Sequence, residues 1–416
     1  MPSGIELKLA ARKAATWGTA VACGANDGIL MLPGTLKKSR DSKIDDSLGL
    51  FWPTDSDLGE IKAEGERSFY MRYDTLDLLI ANFCGTAGVP TYTTPIVSGT
   101  ATGGSTTTLV KTGAGWTAHA YQNKYVSITG GTGAGQTRLI SDNTTDTLTV
   151  ATWTAPTGTS TFEIDGGIAQ HNYDLAASLD GKFATLALNK VVNIEEATSA
   201  KIMGMSLKGS IGNPIEIGFK ILANDIIWDS AVNTLATFAN VTYRDQKNRA
   251  LFNQGVYRLN TQGSSALADG DKIYPTEFEL TADRKMAGVY GAGGVFNTID
   301  EPTNDGIPEV KLRLTFPRYT AATYFTEWAA NTAKKMDMIF TGLLISGSSY
   351  RKLSLWFPHL KYASAEAPER REIIQNTVDF NCLSADAAPA GMTGITNPFR
   401  LQLVNTFGGD PLQAGN

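Results

Sequence analysis

The sequence predicts a mainly β fold with a helix set between strands and a small β module inserted near the first third of the chain. Three observations carry this. In residues 310–316 the apolar Val310, Leu312, Leu314 and Phe316 alternate with Lys311, Arg313 and Thr315, the period of a strand with one wet face. After Pro317 the period becomes helical, with Ala321, Tyr324, Phe325 and Trp328 on one stripe, so these aromatics are expected to pack the helix on a sheet. Met336, Met338 and Phe340 then alternate again, which closes a strand, helix, strand run over 310–342.

The 416 residues are 42% hydrophobic and 19% charged, enough apolar material for real cores and too much for a disordered chain. A net charge of -5 argues against a surface that grips nucleic acid by neutralising phosphates. Cys23, Cys84 and Cys382 are scattered and odd in number, so neither a disulfide framework nor a zinc spacing emerges, and a reducing compartment is the simplest setting. No window reaches the ~18 consecutive apolar residues of a membrane span, and no insertion into a membrane is expected.

At the N-terminus, Arg12 and Lys13 precede AATWGTAVACG, which faintly resembles a lipoprotein signal ending at Cys23. Ala20 in place of a bulkier aliphatic residue, Glu6 in the basic region, and Trp17 with Gly18 inside a short apolar stretch oppose that reading. A cytosolic N-terminal arm is expected instead. Residues 30–66 lack periodicity and read as an irregular run, with Asp45, Asp46, Phe51, Trp52, Pro53, Asp55 and Asp57 in a loop that is either an interaction tip or a satellite core. A strand is expected over 68–73. A short helix follows, with Asp74 as cap, Leu76, Leu79, Ile80 and Phe83 on its apolar face, and Gly85 as its stop.

From 91 to 165 the composition shifts to Thr and Gly, and short apolar stretches (YVSI, TRLI, TLTV) alternate with turns, the pattern of an inserted β module. Within it, GGTGAGQT nearly matches a phosphate-binding loop. Gln136 stands where the lysine would meet phosphate, and strands flank it on both sides, so a glycine hairpin is predicted. No other constellation points to catalysis or to a cofactor. His119, His171 and His359 lack neighbours at metal-ligand spacing, and His359 after Trp356, Phe357 and Pro358 reads as a strand-end packing residue. No serine is framed as G-x-S-x-G, and the adjacent carboxylates Glu195 with Glu196 and Asp300 with Glu301 sit in turn-like settings.

Beyond the insert, Met203, Met205 and Leu207 alternate with polar residues, GSIGNP makes a connection, and Ile215, Ile217, Phe219 and Ile221 alternate in turn, which predicts an antiparallel hairpin. Further strands are expected over 255–260 and 274–281. Residues 283–308 are rich in Gly, Asn and Asp without periodicity, the composition of an arm that orders on a neighbouring subunit.

The order of these segments resembles the major tail tube proteins of long, non-contractile-tailed bacteriophages. TWGTA, RSFYMRYDTLDLLIANFCG, SAKIMGMSLKGSIGNPIEIGFKILANDI, FNQGVYRLN, IDEPTNDGIPEVKLRLTFPRY, KKMDMIFTG and NTVDFNCLSADAAPAGMTGITNPFRLQLVN carry the resemblance, which covers most of the chain outside the insert. It implies an antiparallel β-sandwich or barrel with a flanking α-helix. Residues 1–90 would form an N-terminal arm and the first part of the tube domain, 91–165 an inserted domain on the tube exterior, and 166–416 the remainder with the C-terminal strands. It also implies homo-hexameric rings stacked into a conduit for the genome, contacts with tape measure, tail terminator and distal tail proteins, and viral DNA passing without specific binding. The location implied is the virion tail, after assembly in the host cytoplasm. Phe51, Trp52, Asp300 and Glu301 are the candidate intersubunit residues. The alternative reading is a secreted or tail-tip adhesin whose recognition domain is the insert.

Overall fold

The computed structural model describes residues 4–48, 51–53, 55–291, 298–367 and 373–413. Its first layer is an antiparallel run of Ser56–Tyr70, Glu216–Ala223, Ile194–Ser210, Glu277–Asp283, Glu309–Phe316 and Asn376–Cys382. A second run takes Gly255–Thr261, Ala333–Ser346, Ser349–Glu366, Arg400–Asn405 and Ala169–Asp174. The long strand Ser349–Glu366 also pairs with Asn376–Cys382 and so joins the two layers of an antiparallel β-sandwich around one core. Alternation explains the packing: Leu312 lies beside Leu280 and Phe380, Leu314 beside Phe278 and Val378, all buried. Each such side chain contributes roughly 1.5–3 kcal/mol by leaving water.

The strand, helix, strand run is present as Glu309–Phe316, Thr323–Ala329 and Ala333–Ser346, but its two strands belong to different runs and the helix carries the chain between them. That helix is lightly seated. Tyr324 stacks on Phe316 with centroids 5.0 Å apart, Phe325 meets Tyr319 of the preceding loop edge-on, and Trp328 stays 47% exposed. Two turns present too narrow a face to seat all three rings. In Ala333–Ser346 the face opposite Met336 and Met338 is covered as well. Asp337 there receives two hydrogen bonds from Arg258, at 2.9 and 2.5 Å, and Lys335 donates to the carbonyls of Ser264 and Ala390.

The buried helix is Asp77–Cys84, with Leu76, Leu79, Ile80 and Phe83 in the core. Gly85 ends it at φ +80, its N–H bonded to the Ala81 carbonyl, a backbone that favours glycine. Asp74 does not cap: the helix begins beyond its reach, and its carboxylate takes Arg351 at 2.7 Å and the Thr406 N–H at 2.7 Å.

Three expectations are corrected. Residues 30–66 are not irregular: Thr35–Ile44 and Ser56–Tyr70 form a long antiparallel hairpin, from Thr35 opposite Glu66 to Ile44 opposite Ser56. Both of its faces are largely wet, with Lys37 across from Glu64 and Lys43 across from Asp57, so the apolar period that betrays a half-buried strand is missing. Gly65 is needed at its base, because a Cβ there would lie 2.0 Å from the Thr35 carbonyl oxygen. Within the expected N-terminal arm, Lys8–Lys13 pairs with Ala184–Asn189 and Gly28–Ile29, and Trp17 packs edge-on against Phe183. Glu195 and Glu196 lie inside a strand, where Ser230 and Asn233 donate to the buried Glu196; His359 likewise falls within Ser349–Glu366 and not at its end.

Residues 97–164 build a separate seven-stranded sheet with its own core around Trp116, Val126, Ile140, Leu148, Trp153 and Phe162. GGTGAGQT is the turn of the antiparallel pair Tyr125–Gly130 and Thr137–Asn143. The Gln136 side chain closes that turn on itself through the Gly133 carbonyl and the Thr154 N–H.

Candidate assembly surfaces

The hairpin arm leaves the sheet at Ala63, which pairs with Ala223 at the sheet's end. From there to Ser56, at ~3.3 Å per residue, it reaches about 23 Å beyond the sandwich. The described apolar residues of its tip are bare. Phe51 is 87% and Trp52 74% exposed, their rings 5.1 Å apart and edge-to-face. Asp45, Asp46, Asp55 and Asp57 flank them along the chain, and the Ser47 hydroxyl and N–H hold the Asp45 carboxyl below its ordinary value.

Asp300 and Glu301 sit elsewhere on the chain, with no hydrogen bond or ion pair to that tip among the described residues. Glu301 accepts from the fully buried Lys201 at 2.8 Å and from the Gly181 N–H at 2.7 Å, so its charge is used within the chain. The expected arm at 283–308 is partly anchored on its own chain too: the Ile299 carbonyl accepts from Trp17 and Asn224, and Met286–Ala287 pairs with Thr303–Asn304. Residues 292–297 of that segment lie outside the described residues.

A second surface is the outer face of the first layer. The register puts Glu66, Glu216, Glu279, Asp283, Glu309 and Asp379 on it together with Lys208, Lys220, Lys311 and Arg313. Each cation there has a carboxylate partner: Lys208 with Glu279, Lys220 with Asp283, Lys311 with Glu309, Arg313 with Asp379. Hydrogen bonds from Lys285 and then Lys311 hold the Glu309 carboxyl low, and the Asp379 hydrogen bond raises Arg313. Carboxylates outnumber cations, and no cation is left over among those named.

The seven-stranded sheet meets the sandwich through polar and aromatic contacts. The Tyr92 hydroxyl lies 2.9 Å from Ser127 Oγ and donates to the Gly408 carbonyl, while Tyr125 packs edge-on against Phe407, whose ring also carries the Arg244 guanidinium. Burial raises the carboxyls of Asp165 and Asp410 at this seam.

The groups that chemistry would need are dispersed. His119 pairs with Asp142 at 2.6 Å on the outside of the small sheet, whereas His171 is buried between Tyr173 and Phe407 with Nε2 on the Phe407 carbonyl. The cysteines are buried, and burial pushes all three thiols up. No cluster of His, Cys, Asp and Glu suited to a metal occurs among the described residues, and no helix among them is long and apolar enough to cross a membrane.

A large antiparallel sandwich with a projecting apolar-tipped arm and a charge-paired outer face defines a protein built for assembly. The family of phage tail tube proteins matches residues 4–382, nearly the whole chain, and the chain belongs to that family. It is a structural protein of the virion tail, where it assembles into the tail tube with other tail proteins. No curated protein matches the sequence. Sequence reasoning singled out Phe51 and Trp52 but missed the arm that carries them; the alternation of Lys and Arg in TLKKSRDSKI against the acids of SDLGEIKAEGE was the available signal.

Proposed function

We propose that six copies of the chain close into a ring, that rings stack into a hollow tube, and that the genome travels through it into the host. The single observation that carries this reading is the arm: exposed aromatics at a tip about 23 Å along the arm from the body find no partner among the described residues beyond each other, and a neighbouring copy can supply one. A contact between unlike surfaces of identical subunits closes into rings around one axis and extends into filaments along it.

The charge-paired face of the first layer lines the bore in this reading. A cation that neutralises DNA phosphates releases counterions and holds the DNA, so a passage for DNA needs its cations already paired. Lys311 and Arg313 meet that condition through Glu309 and Asp379. Residues 91–165 form an inserted domain on the tube exterior. Tape measure, tail terminator and distal tail proteins meet the tube inside it and at its two ends, and assembly takes place in the host cytoplasm. Electron microscopy of the concentrated protein tests the reading: rings with six-fold symmetry and stacked tubes are expected, and persistent monomers, even beside its tail partners, overturn it.

A further inference from the structure

The end of the sandwich opposite the arm carries an open apolar groove. The register separates the two ends: the arm departs where Ala63 pairs with Ala223, whereas Tyr70 pairs with Glu216, Ser210 with Glu277 and Phe316 with Asn376 at the other extremity. Two adjoining hollows of about 480 and 400 Å³ lie there and share Ile273 and Tyr274. Phe316, Tyr324 and Tyr257 line them. Two buried polar atoms of the lining, Tyr257 Oη and Asn376 Oδ1, have no hydrogen-bond partner among the described residues. Leaving such atoms unpaired is unfavourable.

We propose that this groove receives the Phe51–Trp52 tip of a second copy of the chain, from the adjacent ring; the proposal rests on the stacked-ring reading. The tip is apolar and aromatic, and the hollows have the volume and lining of sites that bury such groups. Arg318 at the groove makes no ion pair among the described residues, and the carboxylates beside the tip, Asp46 and Asp55 among them, complement it. Because tip and groove stand at opposite ends of the same sheet, one copy cannot satisfy itself, and the contact repeats along an axis.

The test uses the full chain with Asp55→Cys and Thr320→Cys, both at exposed positions that leave the aromatic tip and the groove floor intact. The assembled protein is treated with a short bismaleimide; Cys23, Cys84 and Cys382 are buried and do not compete. A covalent ladder of trimers and longer species is expected, with each single variant stopping at dimers. Tubes that form without the ladder overturn the groove assignment while the stacked rings stand, a lateral neighbour or another tail protein then being its occupant. Failure of the unsubstituted chain to form rings or tubes overturns the stacked-ring reading itself.

Discussion

The strand Glu309–Phe316 and the arm made by Thr35–Ile44 with Ser56–Tyr70 are both antiparallel β structure, yet they hold their place by different means. In the first, every second side chain enters the sandwich core, and its neighbours on both sides present apolar residues at the same level. In the arm, most residues beyond Ala63 face water, and cross-strand charges such as Lys62 with Asp41 stand in for a core. Exposed pairs of that kind are worth about 0–1 kcal/mol. Stability therefore resides in the sandwich, and the arm is free to carry an apolar tip that would be a liability anywhere else.

The difference is open to direct measurement. Phe278→Ala, in the centre of the core, is expected to cost ~3–5 kcal/mol in urea unfolding of the soluble chain, as a cavity left by a buried ring does. A loss below ~1 kcal/mol would mean the core is looser than its packing indicates. Tyr324→Ala is next, at about 2 kcal/mol through the lost stack on Phe316, while Trp328→Ala stays under about 0.5 kcal/mol; equal effects would show that Trp328 seats the helix after all. Trp52→Ala is expected to shift unfolding by less than ~0.5 kcal/mol and yet to suppress tube growth seen by light scattering, the combination that divides assembly from stability. A variant that lost both would return the arm to the folding core.

The smallest effect is in pH dependence. Burial, then the neighbouring Lys182, lowers Lys13 from 10.5 to about 8. The unfolded chain thus holds a proton that the native state has given up between those values, so stability rises with pH from about 8 to 10.5. Lys13→Met should flatten that rise in thermal unfolding; an unchanged slope would locate it in another group.

How much could be read before folding depended on where the apolar residues could go. Glu309–Phe316, the apolar stripe of Asp77–Cys84 and the pair Ile194–Ser210 with Glu216–Ala223 were legible, because a buried face imposes its period on the residues. The arm was illegible for the converse reason: with both faces wet, period and burial part company. The helix Thr323–Ala329 had the right spacing, but spacing alone does not say how much sheet is left to cover, and only Tyr324 reached the core. Of the candidate contact residues, Phe51 and Trp52 stand bare at a tip, while Glu301 is spent on Lys201.

Local chemistry settled the strand alternation, the αL glycine that ends the buried helix at Gly85, and the glycine turn before Thr137, since each needs only neighbours in the chain. Tertiary structure alone decided that Glu196, Lys201 and Asp337 would be buried with partners far along the chain, and that the arm would leave one end of the sheet with an apolar groove at the other. Those outcomes follow from register between strands such as Ala169–Asp174 and Arg400–Asn405, more than two hundred residues apart, where long-range pairing and not local preference sets which side chains meet.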